Sequence, residues 1–515
     1  MKEESLITAI VISLMVTIIN VNSYAETHEK SFSVETDKLI IEFSETGAYP
    51  VLLTSYYPSR NAAQTSSTFT TPKDSALLRI LVNDDAVLNK RLRSLWYQLK
   101  REESDQSIIM HFTSEELVKG VYFEKTYTIA KHDYLVEASF RICGDNAERF
   151  IKDREFQIAT GYGKRFMPKS FSGFSGYMEK LRWIHITENK VSDLSEVLKA
   201  NHSYTLEKSQ WAGYRNRFWT FLIQPKEYNL LAEKDNSIGD NELCLTLPDH
   251  HDEYLLCIYA GPVEYVELKR ENLKLSRLIF THVWFWMRWL CFGMLFLLNF
   301  LIRLVTNHGI AIILLSVSVK IIMLPLVKIA EKWQQEVNEK KSMLQPFIDE
   351  LKNKYKGEEQ NRRILELYRQ HKISPLFTLK SLFSALIQIP FFIAAYDMLS
   401  ENIALRGVGF LWIEDLSLPD RLLQLPFYIP FFGEHLNVLP FAMTGITLLT
   451  SRYFRDVSLS KSLLIKQRRN LYIMAVLFFI LFYTFPAGMV LYWTTNNSFT
   501  LIKTVKRNKH SGLLK

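Results

Sequence analysis

Ile312-Ile313-Leu314-Leu315-Ser316-Val317-Ser318-Val319-Lys320-Ile321-Ile322-Met323-Leu324 places a single ammonium group inside an otherwise apolar run. As a helix, the enclosing segment 309–326 would extend about 27 Å at 1.5 Å per residue, which matches one bilayer crossing. Lys320 lies about eleven residues, or roughly 16 Å, from its start, near the middle of the hydrocarbon. An ionised side chain there costs roughly 2.5–3.5 kcal/mol on insertion scales, so it must reach water, a partner or an interface. Two readings stay open. The stem can snorkel toward the polar boundary, or the cation can face a water-filled cavity inside a helical bundle. Ser316, four residues earlier, shares the same helical face.

Further apolar runs occupy 376–399, 436–453, 471–485 and 489–505, the last two joined by Pro486-Ala487-Gly488. The segments between them differ in charge. Residues 328–372 carry eleven Lys and Arg against eight Asp and Glu. Their pattern is helical, with breaks at Gln345-Pro346 and Gly357 that suggest two helices with a tip near 355–359. The 452–469 loop sets Arg452, Arg455, Lys461, Lys466, Arg468 and Arg469 against Asp456, and the tail is also basic. The 400–435 loop is net acidic. Lys and Arg resist translocation, so five spans alternate correctly only with the basic segments cytoplasmic and the acidic loop outside. The run 278–305 is apolar too, but Arg288 and Arg303 break it and Trp284, Trp286 and Trp289 open it. Hydropathy reads a crossing helix; the Trp and Arg flanks read a helix lying in the interface. Alternation favours the interface.

The 515 residues are 48% hydrophobic and 23% charged with net charge +8, averages that would suit a soluble chain. The polar first half and apolar second half exclude a one-phase soluble protein. The positive charge is explained by cytoplasmic loops rather than by nucleic acid. At the N-terminus, the apolar stretch 6–19 before Ser23-Tyr24-Ala25 reads as a signal segment, either cleaved or kept as an anchor. Residues 26–275 alternate near period two at 32–36, 39–43, 107–112, 121–129 and 134–142, which predicts a large β-sandwich, with a short helix at 191–200. Cys244 and Cys257 either pair in an exported domain or act as small buried hydrophobes. His250-His251-Asp252 reads as an exposed loop rather than a metal site. No G-x-S-x-G, H-E-x-x-H or Walker A pattern occurs, so no catalytic or cofactor site is expected. Polar residues recur in the later spans: Lys380 and Gln388, Thr444 and Thr447, then Thr494, Thr495, Asn496 and Asn497. Each can serve a helix contact; together with Lys320 they suggest a hydrated intramembrane groove. The aromatic pair Tyr492-Trp493 reads equally as groove lining or as lipid-facing surface. The only carboxylate in these spans, Asp397, is near a span end, which disfavours an ion-coupled transporter.

Several stretches then carry a resemblance: Asn307-His308-Gly309 before the Lys320 span, Met343-Leu344-Gln345-Pro346, Gln388-Ile389-Pro390-Phe391-Phe392, Leu411-Trp412-Ile413-Glu414-Asp415, and Phe485-Pro486-Ala487-Gly488-Met489-Val490-Leu491-Tyr492-Trp493. In this order they resemble the YidC membrane-protein insertase family. Trp211-Ala212-Gly213-Tyr214-Arg215-Asn216-Arg217-Phe218 and Tyr259-Ala260-Gly261-Pro262 are similar to the periplasmic domain of its bacterial form. The resemblance implies an α+β fold: an exported β-supersandwich, then a polytopic α-helical bundle of five core helices with a cytoplasmic helical hairpin. It implies a non-enzymatic insertase and chaperone of the cell inner membrane, multi-pass, with the large domain periplasmic and the C-terminus cytoplasmic. The family holds a positively charged, hydrated groove. By position Lys320, Ser316, Gln388, Tyr492, Trp493 and Asn496 would line it here. The family has arginine where this chain has Lys320, and a Gly-rich Cys-Pro stretch where this chain reads Phe377-Thr378-Leu379-Lys380-Ser381-Leu382. No cofactor or metal is implied. The implied partners are nascent membrane proteins and the lipid bilayer, with the Sec translocon, a targeting receptor and the ribosome, and nucleic acid only through the ribosome.

The expected layout is a signal or anchor at 1–25, the β-domain at 26–277, an interfacial helix at 278–308 and a core helix at 309–327. A cytoplasmic hairpin follows at 328–374, a core helix at 375–399, a periplasmic loop at 400–435 and a core helix at 436–453. A cytoplasmic loop at 454–469, a helical hairpin at 470–505 and a basic tail at 506–515 complete it. The alternative is an envelope assembly or scaffold protein that keeps the fold without inserting clients.

Overall fold

The computed structural model describes residues 31–57, 65–69, 77–83, 85–152, 154–160, 181–187, 190–193, 204–235, 242–248, 253–271, 275–281, 283–371, 386–454 and 459–510. The expected signal segment, the His250-His251-Asp252 loop, Lys380 and most of the expected 191–200 helix lie outside these residues. The part of that helix inside them, Val191–Asp193, is a strand paired with Arg182–Ile186. Its three residues close a sheet edge, and period reading over so short a run does not separate strand from helix.

The first half is β. A nine-stranded antiparallel sheet runs, in spatial order, Val191–Asp193, Arg182–Ile186, Trp211–Arg215, Trp219–Pro225, Glu253–Pro262, Leu135–Cys143, Tyr122–Ala130, Ser107–Ser114 and Tyr97–Glu103. A four-stranded sheet starting at Ser31–Glu35 and a five-stranded sheet including Leu230–Asp235 accompany it. Strict alternation makes the layers: in Tyr122–Ala130, Phe123, Lys125, Tyr127 and Ile129 point inward and their neighbours outward. Phe43, Phe112 and Tyr127 meet in the interior with ring centroids 4.7–6.0 Å apart. Cys244 and Cys257 are buried and form no disulfide with each other, and burial pushes the Cys257 thiol up to about 12. Two short helices, Ala86–Ser94 (α1) and Ala147–Lys152 (α2), flank the sheets.

Tyr265–Glu271 (α3) and a 3-10 turn, Leu275–Leu278, lead out of the β-domain. The helices that follow are Phe285–Val305 (α4), His308–Lys354 (α5), Gly357–Gln370 (α6), Ile389–Ser400 (α7), Leu439–Tyr453 (α8), Lys461–Phe482 (α9) and Ala487–His510 (α10). Among the described residues, α4 and α5 are the two helices both long and apolar enough to cross a bilayer on their own. Thr306 ends α4 in the left-handed region, and Asn307 then caps α5 by accepting from the Ile310 amide. α5 continues through Pro325 and Pro346 without ending, although each proline removes one backbone donor. The break expected at Gln345-Pro346 is therefore absent, and the chain turns at 355–356. α6 folds back on α5 through Val337, Leu344 and Leu367.

The loop after α7 builds one end of the bundle. Asp420 Oδ2 accepts from the Val438 and Leu439 amides at 2.8 and 2.7 Å and so caps α8. The Leu416 and Leu418 carbonyls take the Gly488 and Ala487 amides at 2.8 and 2.7 Å at the start of α10. A Cβ on Gly309 would lie 2.1 Å from the Phe410 ring, so glycine is what lets this loop seat on α5. The loop also contains a hairpin, Leu423–Ile429 with Gly433–Leu436, whose Phe427 and Tyr428 are exposed.

Arg215 and Arg217 tie the β-domain to this same end. Arg215 is buried, donates to the Leu278 carbonyl at 2.7 Å and lies 3.5 Å from Glu401; Arg217 donates to the Ser400 carbonyl at 2.6 Å.

Candidate functional site

α5 and α10 pack along each other and run in the same direction, both starting at the loop-capped end. Ser316 and Lys320, one turn apart, face α10. Ser316 Oγ donates to the Tyr492 carbonyl at 2.9 Å, and Lys320 Nζ donates to Thr500 Oγ1 at 3.2 Å. Thr500 in turn donates to the Asn496 carbonyl at 3.0 Å. Further along, Lys503 pairs with Glu331 at 2.6 Å. α8 joins from the other side, where Asn497 Nδ2 donates to Thr447 Oγ1 at 3.0 Å.

These contacts form a graded seam. At the capped end Ser316 is 2% exposed and Tyr492 5% exposed. Lys320 and Thr500, in the middle, are half-buried. The side chains of Lys503 and Glu331, toward the α5–α6 hairpin, are 41% and 53% exposed. A backbone carbonyl and a hydroxyl thus take a donor each from Ser316 and Lys320, and the exposure of these paired side chains rises away from the loop, while Thr504 and Asn508 further along α10 are buried. The arrangement holds a cation at fixed height in an apolar bundle, without a carboxylate in contact with it among the described residues.

The sequence-predicted residues do not all meet. Ser316 reaches α10 at Tyr492, and Lys320 reaches the turn that follows buried Asn496. Trp493 turns instead into an aromatic cluster, with ring centroids 4.9 Å from Phe392 and 5.8 Å from Phe482. Gln388 is exposed at the start of α7 and makes no capping bond. Thr444, Thr494 and Thr495 bond back to carbonyls of their own helices at 2.7–2.9 Å, as hydroxyls in apolar helices do. Sequence pattern does not single out Thr500, the direct partner of Lys320. The available signal was its spacing, one turn beyond Asn496 on the same face.

The comparisons with known proteins cover both halves. A family model described as "60Kd inner membrane protein" matches residues 300–512, and one described as "YidC periplasmic domain" matches residues 31–292. "Membrane protein insertase YidC" of Syntrophobacter fumaroxidans is 29% identical over 415 residues, covering 77% of this chain and 70% of that protein. The protein of the same name from Magnetococcus marinus is 29% identical over 401 residues, covering 74% and 65%. A solved structure titled "Active YidC insertase crystal structure with the first transmembrane domain resolved" covers 96% of this chain at 17% identity and a TM-score of 0.36. That last likeness decides nothing. These relatives do not favour a scaffold that has lost insertion. With both family models matched in order along its length, the chain belongs to the YidC family of inner-membrane protein insertases, which are not enzymes.

Proposed function

We propose that the chain inserts nascent membrane proteins through the seam between α5 and α10, and that Lys320 supplies the charge that draws a client's polar flank inward. The observation that carries this reading is the exposure gradient, buried at Ser316 and Tyr492 and open at Lys503 and Glu331. A seam shut at one end and open at the other admits a polar segment from one side only. Hydroxyls and a cation lower the cost of holding that segment among apolar helices. The client then leaves sideways as its own apolar residues enter lipid, a transfer worth about 25 cal/mol per Å² buried. The step consumes no nucleotide.

In this reading the segment layout given above holds, with five core helices and a multi-pass topology. The loop that seats on α5 and caps α8 and α10 sits beside the β-domain, held there by Arg215 and Arg217, so both belong outside. The α5–α6 hairpin, the loop before α9 and the end of α10 gather at the other end, where Ser460 bonds Ser342 at 2.7 Å and Lys503 pairs with Glu331. Their basic character suits the cytoplasm. α4 touches the end of the β-domain through Phe292, 4.9 Å from Tyr265 and 5.3 Å from Phe280. A mid-helix residue seated against the exported domain supports α4 lying along the interface, in spite of its apolar length. The hairpin end would then meet the ribosome and a targeting receptor, and the bundle would work alone or beside the Sec translocon. Photocrosslinking from position 320 to stalled nascent chains tests the proposal. Adducts confined to clients caught during insertion are expected; a probe at 320 that captures lipid alone would refute it.

A further inference from the structure

A second polar feature lies away from the seam, between α4 and the segment that leaves the β-domain. One face of α4, from Phe285 through Phe292 and Phe296 to Arg303, lines a cleft of about 760 Å³ closed on the other side by Tyr265, Val266 and Arg277. The lining holds three arginines, Arg277, Arg288 and Arg303, and neither Asp nor Glu. Arg288 Nη2 is committed to the Arg277 and Ile279 carbonyls at 3.2 and 3.0 Å. Arg288 Nε and Arg277 Nη1 are both buried and have no hydrogen-bond partner among the described residues. Two neighbouring guanidinium groups with no carboxylate in the lining repel each other, and an anion at the mouth of the cleft would offset that repulsion.

We propose that this cleft binds an anionic glycerophospholipid, its phosphate on Arg277 and Arg288 and one acyl chain along the Phe292–Phe296 face. Guanidinium donors pair with phosphate oxygens in short charge-assisted bonds. Past Arg288 the stripe is aromatic and aliphatic as far as Asn299, and Arg303 closes it. Fifteen residues separate Arg288 from Arg303, about 22 Å of helix, a length that accepts an extended acyl chain. The volume falls within the small-molecule range of roughly 300–1,000 Å³, which suits a headgroup and one chain better than a folded protein segment. The opposite face of α4, through Met287, Cys291, Met294 and Leu298, is buried in the fold. A lipid seated here would hold α4 at the level of the headgroups and join the β-domain to the bilayer.

The test uses the purified full-length chain in neutral detergent and native mass spectrometry, reading the first bound lipid. Phosphatidylglycerol and phosphatidylcholine with the same acyl chains are offered together, with glycerol 3-phosphate as a soluble competitor. Phosphatidylglycerol should be retained about tenfold over phosphatidylcholine, equivalent to 1.4 kcal/mol. The Arg277→Gln, Arg288→Gln double variant should lose that preference. Because Arg288 also holds two carbonyls, Asn299→Trp serves as a second variant. It narrows the cleft, leaves both arginines in place, and should lower retention of phosphatidylglycerol. Equal retention of the two lipids, a preference that survives both variants, or displacement by glycerol 3-phosphate at equal concentration would overturn the proposal. No client is present, so the result is independent of whether the seam inserts proteins.

Discussion

Replacing Lys320 by methionine keeps most of the side-chain volume and removes the charge. The seam loses one half-buried hydrogen bond, to Thr500, worth about 1 kcal/mol of stability. The effect on a client is larger and depends on the client. A carboxylate passing about 7 Å from the ammonium, at an effective dielectric of about 20, gains roughly 2.4 kcal/mol. Lys320→Met should therefore slow insertion of a client with one acidic residue in its translocated flank by roughly fiftyfold, since 1.4 kcal/mol is tenfold. Lys320→Glu replaces attraction by repulsion and should roughly double the energetic penalty, while Lys320→Arg restores the charge and should be tolerated. The assay is insertion into proteoliposomes of two matched clients, one with a single Asp in the flank and one with Asn there. Denaturation midpoints of each variant separate folding losses from function. If Lys320→Met slows both clients equally, the charge does not act on the flank, and the electrostatic part of the mechanism is refuted.

Ser316→Ala should destabilise the α5–α10 contact by about 1 kcal/mol, read as a lower thermal midpoint, because a buried bond to the Tyr492 carbonyl is lost. Gly309→Ala puts a Cβ into the Phe410 ring and should cost about 1–3 kcal/mol, with faster proteolysis of the 406–418 loop as the readout. Glu401→Gln leaves buried Arg215 without its carboxylate and should cost about 3 kcal/mol, read as earlier release of the β-domain in limited proteolysis. Lys125, buried in the sandwich with its ammonium on the Gly47 carbonyl, is pushed down to about 7 by burial. The unfolded chain then binds more protons above pH 7, so stability rises with pH until the ordinary lysine range near 10. Between pH 7 and 9 the β-domain should gain about 2 kcal/mol. That rise should vanish in Lys125→Met, and urea titrations at the two pH values measure it.

The α+β division, an N-terminal sandwich followed by a helical half, was legible because burial writes its period into each half. Phe123, Lys125, Tyr127 and Ile129 alternate, and even the one charged residue in that series points inward. What sequence pattern did not carry was partnership. Ser316 reads as a groove hydroxyl, yet its bond goes to a backbone carbonyl, and every residue has a carbonyl. Tyr492-Trp493 reads as a pair because the two are neighbours, but adjacent helical residues point about 100° apart; Tyr492 meets Ser316 only through its backbone carbonyl, and Trp493 joins an aromatic cluster. Pro346 reads as a break because proline removes a donor; a 47-residue helix with packed neighbours absorbs that loss. The exposed hairpin Leu423–Ile429 with Gly433–Leu436 is not legible in the sequence, because Pro426 and Pro430 interrupt an uncharged apolar run and its turn lacks an Asn-Gly signal.

The direction of the helices joins these observations. Ser316 with Tyr492, Lys320 with Thr500 and Glu331 with Lys503 advance together along both chains, so α5 and α10 are parallel. Parallel neighbours need a connection that returns the chain to the starting end, and α9 makes that return before Pro486-Ala487-Gly488. Their two N-termini therefore lie side by side, and one loop closes both, the Leu416 and Leu418 carbonyls on α10 and Phe410 on Gly309 of α5. Among the described residues the C-terminal ends have no such common lid: α5 runs on into its hairpin and α10 into a basic end. Parallel packing is thus what makes the seam one-sided. A single loop can seal every helix that starts at one level, and the cation sits in the half-exposed stretch between that seal and the open end.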